Sequence, residues 1–362
     1  MAAWIDRREA LLDYMRHEGS LIGLDTEFMR TDSFFPKLAL IQTEIDGQIA
    51  LIDPLSETDL SSLSARLADP ATVSIMHSAS EDLDALAPLL PNSLGQLFDT
   101  QIAAAFAGLG AGMGYQKLVL TLVGVEIPKG ETRSDWLQRP LSPQQLEYAA
   151  QDVVYLPDLQ SQLKARLEQR GYARWHAEDC ERMLDRARHR EADPQPQLAY
   201  RMAADWTREQ QALLRRLLVW REATARRIDK PRPWILDDTR LLEFALTPPT
   251  TNEEVMERGR GLRALRGTER TDLLDILQSP LSDSDLGFEP IPPAPTTQER
   301  RAISALKDVV IRRAAELDIP DGLLCSRRHL ESLWLSRKWP ATLEGWRREV
   351  LHDALMTRLA DL

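Results

Sequence analysis

Cysteine is almost missing from this chain of 362 residues: only Cys180 and Cys325 occur, far apart and without a C-x-x-C pairing. That excludes a disulfide framework, gives no support for a zinc site and fits a reducing, cytoplasmic compartment. Long apolar runs are missing as well. No stretch approaches the roughly 20 apolar residues of a membrane span, and the start MAAWIDRREALLDYMRHEG reads as an amphipathic helix, so neither membrane insertion nor secretion is expected. No G-x-x-x-x-G-K-[ST] element occurs, which excludes a P-loop helicase, and no heptad pattern argues for a coiled coil.

An excess of positive charge is also lacking, since the net charge is −11. The average hides an asymmetry. Residues 1–199 carry 18 Lys+Arg against 30 Asp+Glu, about −12, while residues 200–362 carry 27 against 26, about +1. A phosphate polymer tolerates the acidic first part if metal ions neutralise some of it, and arginine pairs in the second part could track a backbone. Net charge alone therefore decides nothing about partners.

The length exceeds what one hydrophobic core usually supports, so two or three domains are expected. Up to about residue 190 the chain reads as α/β. Alternation in SLIGLDTEF, KLALIQTEI and QIALIDP, followed by TVSIMH, predicts four strands, the first three close enough to form an antiparallel meander. SEDLDALAPLL, TQIAAAFAGL and MGYQKLVLTLVG then carry helical spacing, with Gly124 suited to a helix end. DPQPQLAY reads as a linker, and beyond it the pattern is helical almost throughout. GFEPIPPAPTT, with four prolines in eleven residues, separates two helical blocks as a semi-extended connector.

Three segments carry chemistry. In a strand, residues i and i+2 share a face, so LIGLDTEF puts Gly23, Asp25 and Glu27 together and turns Ile22, Leu24 and Thr26 to the other side. Two carboxylates that close repel unless a cation lies between them, which is the physical argument for metal. Asp82, in HSASEDLDAL, falls near a helix start, where acids also favour the helix dipole. In LSPQQLEYAAQDVVYL, Ser142 is an expected N-cap with Pro143 in the first turn and Gln145 completing a capping box, so Tyr148 and Asp152 share a helix face. A tyrosine is a poor general base near neutral pH, but its hydroxyl can orient a water for attack.

DTEF, HSASEDL and EYAAQDVVYL, in this order, resemble the three exonuclease motifs of the DEDD superfamily in the subgroup with tyrosine four residues before the last aspartate. FFPKLALIQ and RSDWLQRPLSPQQLEYAAQDVVYL extend the likeness, which covers residues 20–170, toward the ribonuclease D family. WREATARRIDKPRPWILDDTRLLEFALTPPTT resembles an HRDC module, and residues near 297–362 a divergent second copy. The resemblance implies a ribonuclease H-like α/β domain (mixed sheet flanked by helices) over residues 1–195 and two all-α HRDC-like helical bundles over 200–286 and 296–362. It implies a two-metal 3′-to-5′ exoribonuclease releasing nucleoside 5′-monophosphates and maturing transfer RNA precursors and other small structured RNAs; a DNA exonuclease of repair is the alternative. Asp25, Glu27 and Asp152 would hold one Mg²⁺ or Mn²⁺, Asp25 would bridge to a second held by Asp82, and Tyr148 would position the water. Phe28, Met29 and His77 are expected at the terminal nucleotide of an RNA with a single-stranded 3′ end. Trp136, Trp206, Trp220 and Trp234 are expected in cores. A cytoplasmic monomer without a membrane partner is implied.

Overall fold

The computed structural model describes residues 2–90, 94–128 and 134–362. Its N-terminal part runs β1 (Ala3–Ile5), α1 (Arg8–Tyr14), β2 (Leu21–Met29), β3 (Lys37–Ile45), β4 (Gln48–Ile52), α2 (Ser61–Ala68), β5 (Val73–Met76), α3 (Ser80–Leu86), β6 (Gln96–Asp99), α4 (Thr100–Phe106), α5 (Tyr115–Leu122), α6 (Pro143–Val154), α7 (Leu156–Arg170) and α8 (Ala173–Arg188). The strands form one mixed sheet in the order β1-β4-β3-β2-β5-β6. The four expected strands are present. Asp46 and Gly47, at φ 49° and 79°, make the two-residue turn that lets β3 and β4 pair antiparallel through Ile45↔Gln48.

Two strands escaped the sequence reading. The N-terminal segment, expected as one amphipathic helix, opens instead with β1, which pairs parallel to β4 through Trp4↔Leu51 and buries Ile5. Unpaired backbone groups on the outer side of β4 draw it into the sheet, a long-range effect that local periodicity does not carry. The four residues of β6 are too short a run to read, but they extend the sheet parallel to β5.

One sheet face packs Ile22, Leu24, Ile41, Ile45 and Ile52 against Leu11 of α1, Leu63 and Leu67 of α2 and Leu83 and Leu86 of α3. The other face packs Leu40 and Leu51 against Trp136, Leu141 and Ala149. At Gly23 a Cβ would lie 3.2 Å from Glu44 Cβ, 3.3 Å from the Val153 carbonyl and 3.4 Å from Leu156 Cβ. A glycine there lets β2 lie closely beneath the junction of α6 and α7.

Helices α9 (Arg208–Ile228), α10 (Arg232–Ile235), α11 (Asp238–Leu246), α12 (Asn252–Arg258), α13 (Thr268–Gln278) and α14 (Asp283–Leu286) follow, then α15 (Thr297–Leu317), α16 (Asp321–Leu324), α17 (Arg327–Ser336) and α18 (Trp346–Ala360). By packing, the chain forms two compact units. One holds residues 1–29, 38–189 and 296–362, the other residues 30–37 and 190–295. Inside the second unit, Leu214, Leu217, Trp220, Ile235, Leu241 and Phe244 build the core, and Phe34 joins it from the segment 30–37. Asp229, in left-handed conformation at the end of α9, accepts from the Phe34 and Phe35 amides at 2.9 and 3.0 Å.

The block after the proline-rich connector shares the core of the first unit. Trp346 is fully buried, stacks on Trp175 of α8 at 4.8 Å and meets Phe106 edge-on at 5.3 Å. Its indole N–H donates to Asp179 Oδ1 at 3.1 Å, and Arg347 grips the same carboxylate at both oxygens. Truncating a fully buried tryptophan costs about 3–5 kcal/mol. Trp346→Ala should therefore lower the melting temperature of the unit that carries the sheet, read by calorimetry on the full chain. A sheet transition left at the wild-type temperature would mean that residues 296–362 fold on their own.

Candidate active site

The strand β2 delivers Asp25 and Glu27 on one face, as its alternation requires, and both keep partial solvent contact while Leu24 is buried. Asp82 reaches the same place from α3. The turn before that helix needs Ser78 in left-handed conformation at φ 62°, and the Asp99 side chain fixes it by accepting from the Ala79 amide at 2.9 Å. The same fully buried Asp99 N-caps α4 through the Gln101 and Ile102 amides. One carboxylate thus sets two helix starts at the ends of adjacent strands. Thr26, turned to the opposite face from Asp25, donates its hydroxyl to Asp82 Oδ1 at 2.6 Å.

The third segment adopts the expected capping box. Ser142 Oγ accepts from the Gln145 amide at 3.2 Å, Gln145 Oε1 accepts from the Ser142 amide at 2.9 Å, and Pro143 opens α6. Tyr148 and Asp152 lie one turn apart, with the tyrosine hydroxyl bonded to the carboxylate. Trp136, buried as expected, lies 6.1 Å from the Tyr148 ring. Arg139 holds this approach to α6 in place: it binds both oxygens of buried Asp53 at 2.9 and 2.7 Å, and the carbonyls of Ala39 and Trp136 at 2.6 and 2.8 Å.

Burial raises the proton affinity of all four acids, and the charges of the others add to it at Asp25, Glu27 and Asp152. Burial first, then the charges of Asp82, Asp152 and Glu27, holds Asp25 well above the ordinary carboxylate range. Burial followed by Asp152 and Asp82 pushes Glu27 up to about 8. Asp152 rises to about 7, mainly by burial and with the Tyr148 hydroxyl acting in the opposite sense. Asp82 rises to about 6, again chiefly by burial, with the Thr26 hydroxyl opposing. Burial, and then the charges of Asp152, Glu27 and Asp25, raises the Tyr148 phenol, so it stays neutral at physiological pH.

Phe28 and Met29 continue β2 as half-buried side chains directly after the acids. His77 directly follows β5 and is half-buried. Its Nδ1 is 2.8 Å from Thr100 Oγ1, which itself donates to the Met76 carbonyl, and its ring meets Tyr115 edge-on at 5.7 Å. Burial lowers its pKa, so the imidazole is neutral. The Tyr115 hydroxyl donates to the Gln151 carbonyl at 2.9 Å, one residue before Asp152. Sequence reasoning missed Thr26, Asp99, Tyr115 and Arg139. Only Asp99 left a local signal, as an aspartate ahead of a helical run. Of the four tryptophans expected in cores, Trp220 is buried and Trp206 packs partly into the same core, but Trp234 stays half-buried beneath Arg263 at 4.8 Å and Lys230 at 6.0 Å.

Among the described residues no three ligating side chains are already closed into a metal-binding arrangement. The chemistry of the donor set nevertheless fits a hard divalent cation: the groups are all oxygen and partly buried, and their shared repulsion is what a cation relieves. In metal-free buffer the folded chain binds more protons at these acids than the unfolded chain does. Stability should therefore fall as pH rises from about 4, the ordinary carboxylate value, through the raised value of about 8 at Glu27. Mn²⁺ should raise the melting temperature more at pH 8 than at pH 6. A metal-free melting temperature that climbs over this range would contradict the cluster.

Comparison with known proteins bears on the same segments. A family model for a 3′-5′ exonuclease matches residues 3–168, and a model for the HRDC domain matches residues 210–266. Ribonuclease D of Xanthomonas oryzae pv. oryzae is 42% identical over 363 aligned residues, covering 99% of each chain. Ribonuclease D of Escherichia coli is 33% identical, covering 94% of this chain and 93% of its own. The crystal structure of the Escherichia coli enzyme, described as an exoribonuclease involved in structured RNA processing, superposes with a TM-score of 0.85 over 100% of this chain and 99% of that one, at 30% identity. The mixed sheet, the helical region with its HRDC domain and the full-length similarity agree: this chain belongs to the ribonuclease D family of 3′-5′ exoribonucleases.

Proposed function

We propose that Asp25, Glu27, Asp82 and Asp152 bind two divalent cations, Mg²⁺ or Mn²⁺, and that the site hydrolyses RNA one nucleotide at a time from the 3′ end. Each step releases a nucleoside 5′-monophosphate. The observation that carries this reading is the convergence of four carboxylates from β2, α3 and α6, each raised chiefly by burial, around a neutral tyrosine. When bound, such cations lower the pKa of a water molecule and offset charge on the phosphoryl oxygens.

The chain's own groups divide the remaining work. Tyr148 keeps its proton and directs it to Asp152 in a hydrogen bond, which leaves a phenolic lone pair to accept from the attacking water and fix its direction. Water adds to phosphorus, the bond to the 3′ oxygen breaks, and a proton passes to that oxygen. Thr26 fixes the Asp82 carboxylate by occupying one of its oxygens. Phe28 and Met29 pack against the terminal nucleoside, a contact of the kind worth about 1–3 kcal/mol when an aromatic ring stacks on a base. His77, neutral and braced by Thr100, supports the wall beside it.

Transfer RNA precursors and other small structured RNAs with a single-stranded 3′ end are the proposed substrates, processed in the cytoplasm by a monomer. The likeness to the Escherichia coli enzyme, described as involved in structured RNA processing, supports this choice. The helical modules, including residues 296–362 as a divergent HRDC copy, grip the body of the RNA. No helix among the described residues is long and apolar enough to cross a membrane.

A 5′-labelled single-stranded RNA and its DNA counterpart, each with Mg²⁺, Mn²⁺ or EDTA, test the chemistry. Asp152→Asn should abolish the metal-dependent 3′ shortening of RNA. Tyr148→Phe should slow turnover about 10²-fold or more, as loss of an acid–base or orienting group does, while Mn²⁺ affinity holds. Activity on DNA alone would favour the DNA exonuclease. For the helical grip, Trp234→Ala with Arg263→Glu should weaken processing of a structured precursor and leave hydrolysis of a short oligomer unchanged. Equal losses on both substrates would remove that division of labour.

A further inference from the structure

Gln42 is an anomaly of the sheet. It lies in the middle of β3 with no exposed surface, and neither its amide nitrogen nor its amide oxygen has a hydrogen-bond partner in the protein. A buried amide left unpaired is costly, and native structures seldom keep one without a use for it.

Its position indicates the use. Gln42 pairs across β4 with Leu51, which packs on the face covered by Trp136 and Ala149, so its side chain is on the α6 face of the sheet. β3 also neighbours β2. The two strands follow one another through a connection too short for a parallel crossover, so they run antiparallel. Contacts fix the register: Glu44 lies against Gly23, and Asp46 accepts from the Gly19 amide at 2.9 Å, one index rising as the other falls. Two residues further along each strand, Gln42 falls opposite Asp25 on the same face. Opposed residues in such a pair have Cβ atoms about 4.5–5.5 Å apart. Leu51 on its other side and Ala149 above are apolar, whereas Asp25 on β2 is the acid opposite it.

We propose that Gln42 is a positioning residue for the metal centre, its amide N–H groups donating to the Asp25 carboxylate in the metal-loaded enzyme. The inference rests on the metal-binding reading of the four acids. An amide suits this place where a carboxylate or a lysine would not: it supplies donors without adding a charge to a site that already holds four negative groups. Groups that hydrogen-bond a metal ligand typically change metal affinity 10–100-fold when removed.

The test is Mn²⁺ binding by titration calorimetry on the full chain, comparing wild type with Gln42→Leu, which keeps much of the volume and removes the hydrogen bonds. Gln42→Met serves as a second variant should the branched side chain disturb folding. The expected result is an Mn²⁺ dissociation constant raised about 10-fold or more, a melting temperature in EDTA equal to or above wild type because an unpaired amide is gone, and hydrolysis that recovers as Mn²⁺ is raised. A dissociation constant within twofold of wild type in either folded variant overturns the proposal and leaves the four-acid reading intact. Failure of wild type itself to bind Mn²⁺ overturns both.

Discussion

The gathering of four carboxylates in one partly buried place is the constraint on which the arrangement of this enzyme's catalytic unit turns. Burial lifts the proton affinity of Asp25, Glu27, Asp82 and Asp152, and at Asp25, Glu27 and Asp152 the neighbouring acids lift it further, so the fold holds them where their charges are not favoured. Something must hold the elements that carry them. β2 is clamped between β3 and β5 in the sheet. The start of α3 is tied by Asp99, and α6 is approached through a segment that Arg139 fastens to Asp53. These contacts are buried or half-buried and charge-assisted, the class of hydrogen bond strong enough to resist such repulsion.

The helices after the proline-rich connector belong to the same argument. Trp346 and Arg347 converge on Asp179 of α8, and Cys180, the next residue, packs into the core beneath the sheet. Removing residues 296–362 would uncover Phe106 and Trp175, side chains of the catalytic unit. Because a truncation would open the core, surface substitutions are what test the proposed role of residues 296–362 in holding RNA.

The motifs were legible because each is local. The i, i+2 spacing of Asp25 and Glu27 and the i, i+4 spacing of Tyr148 and Asp152 follow from strand and helix geometry alone. The capping box at Ser142 was readable for the same reason. What escaped is long-range. β1 is a strand because β4 has a free side, and nothing in AWI says so. Thr26 was read as a core-facing residue, yet its hydroxyl reaches Asp82, 56 residues away. The Arg139–Asp53 pair spans 86 residues and no motif joins them. Trp234 was expected inside a core, but the cations of Lys230 and Arg263 lie over its ring instead.

Proton release on metal binding tests the account most directly. Titrating Mn²⁺ into the full chain at pH 7 in two buffers of different ionisation enthalpy counts the protons displaced. With Glu27 raised to about 8 and Asp152 to about 7, the metal-free site holds protons at that pH, and binding should expel at least one of them, fewer as pH is raised to 9. Binding that releases no proton at pH 7 would mean the acids are already ionised and independent, and the repulsive cluster at the centre of this account would not exist.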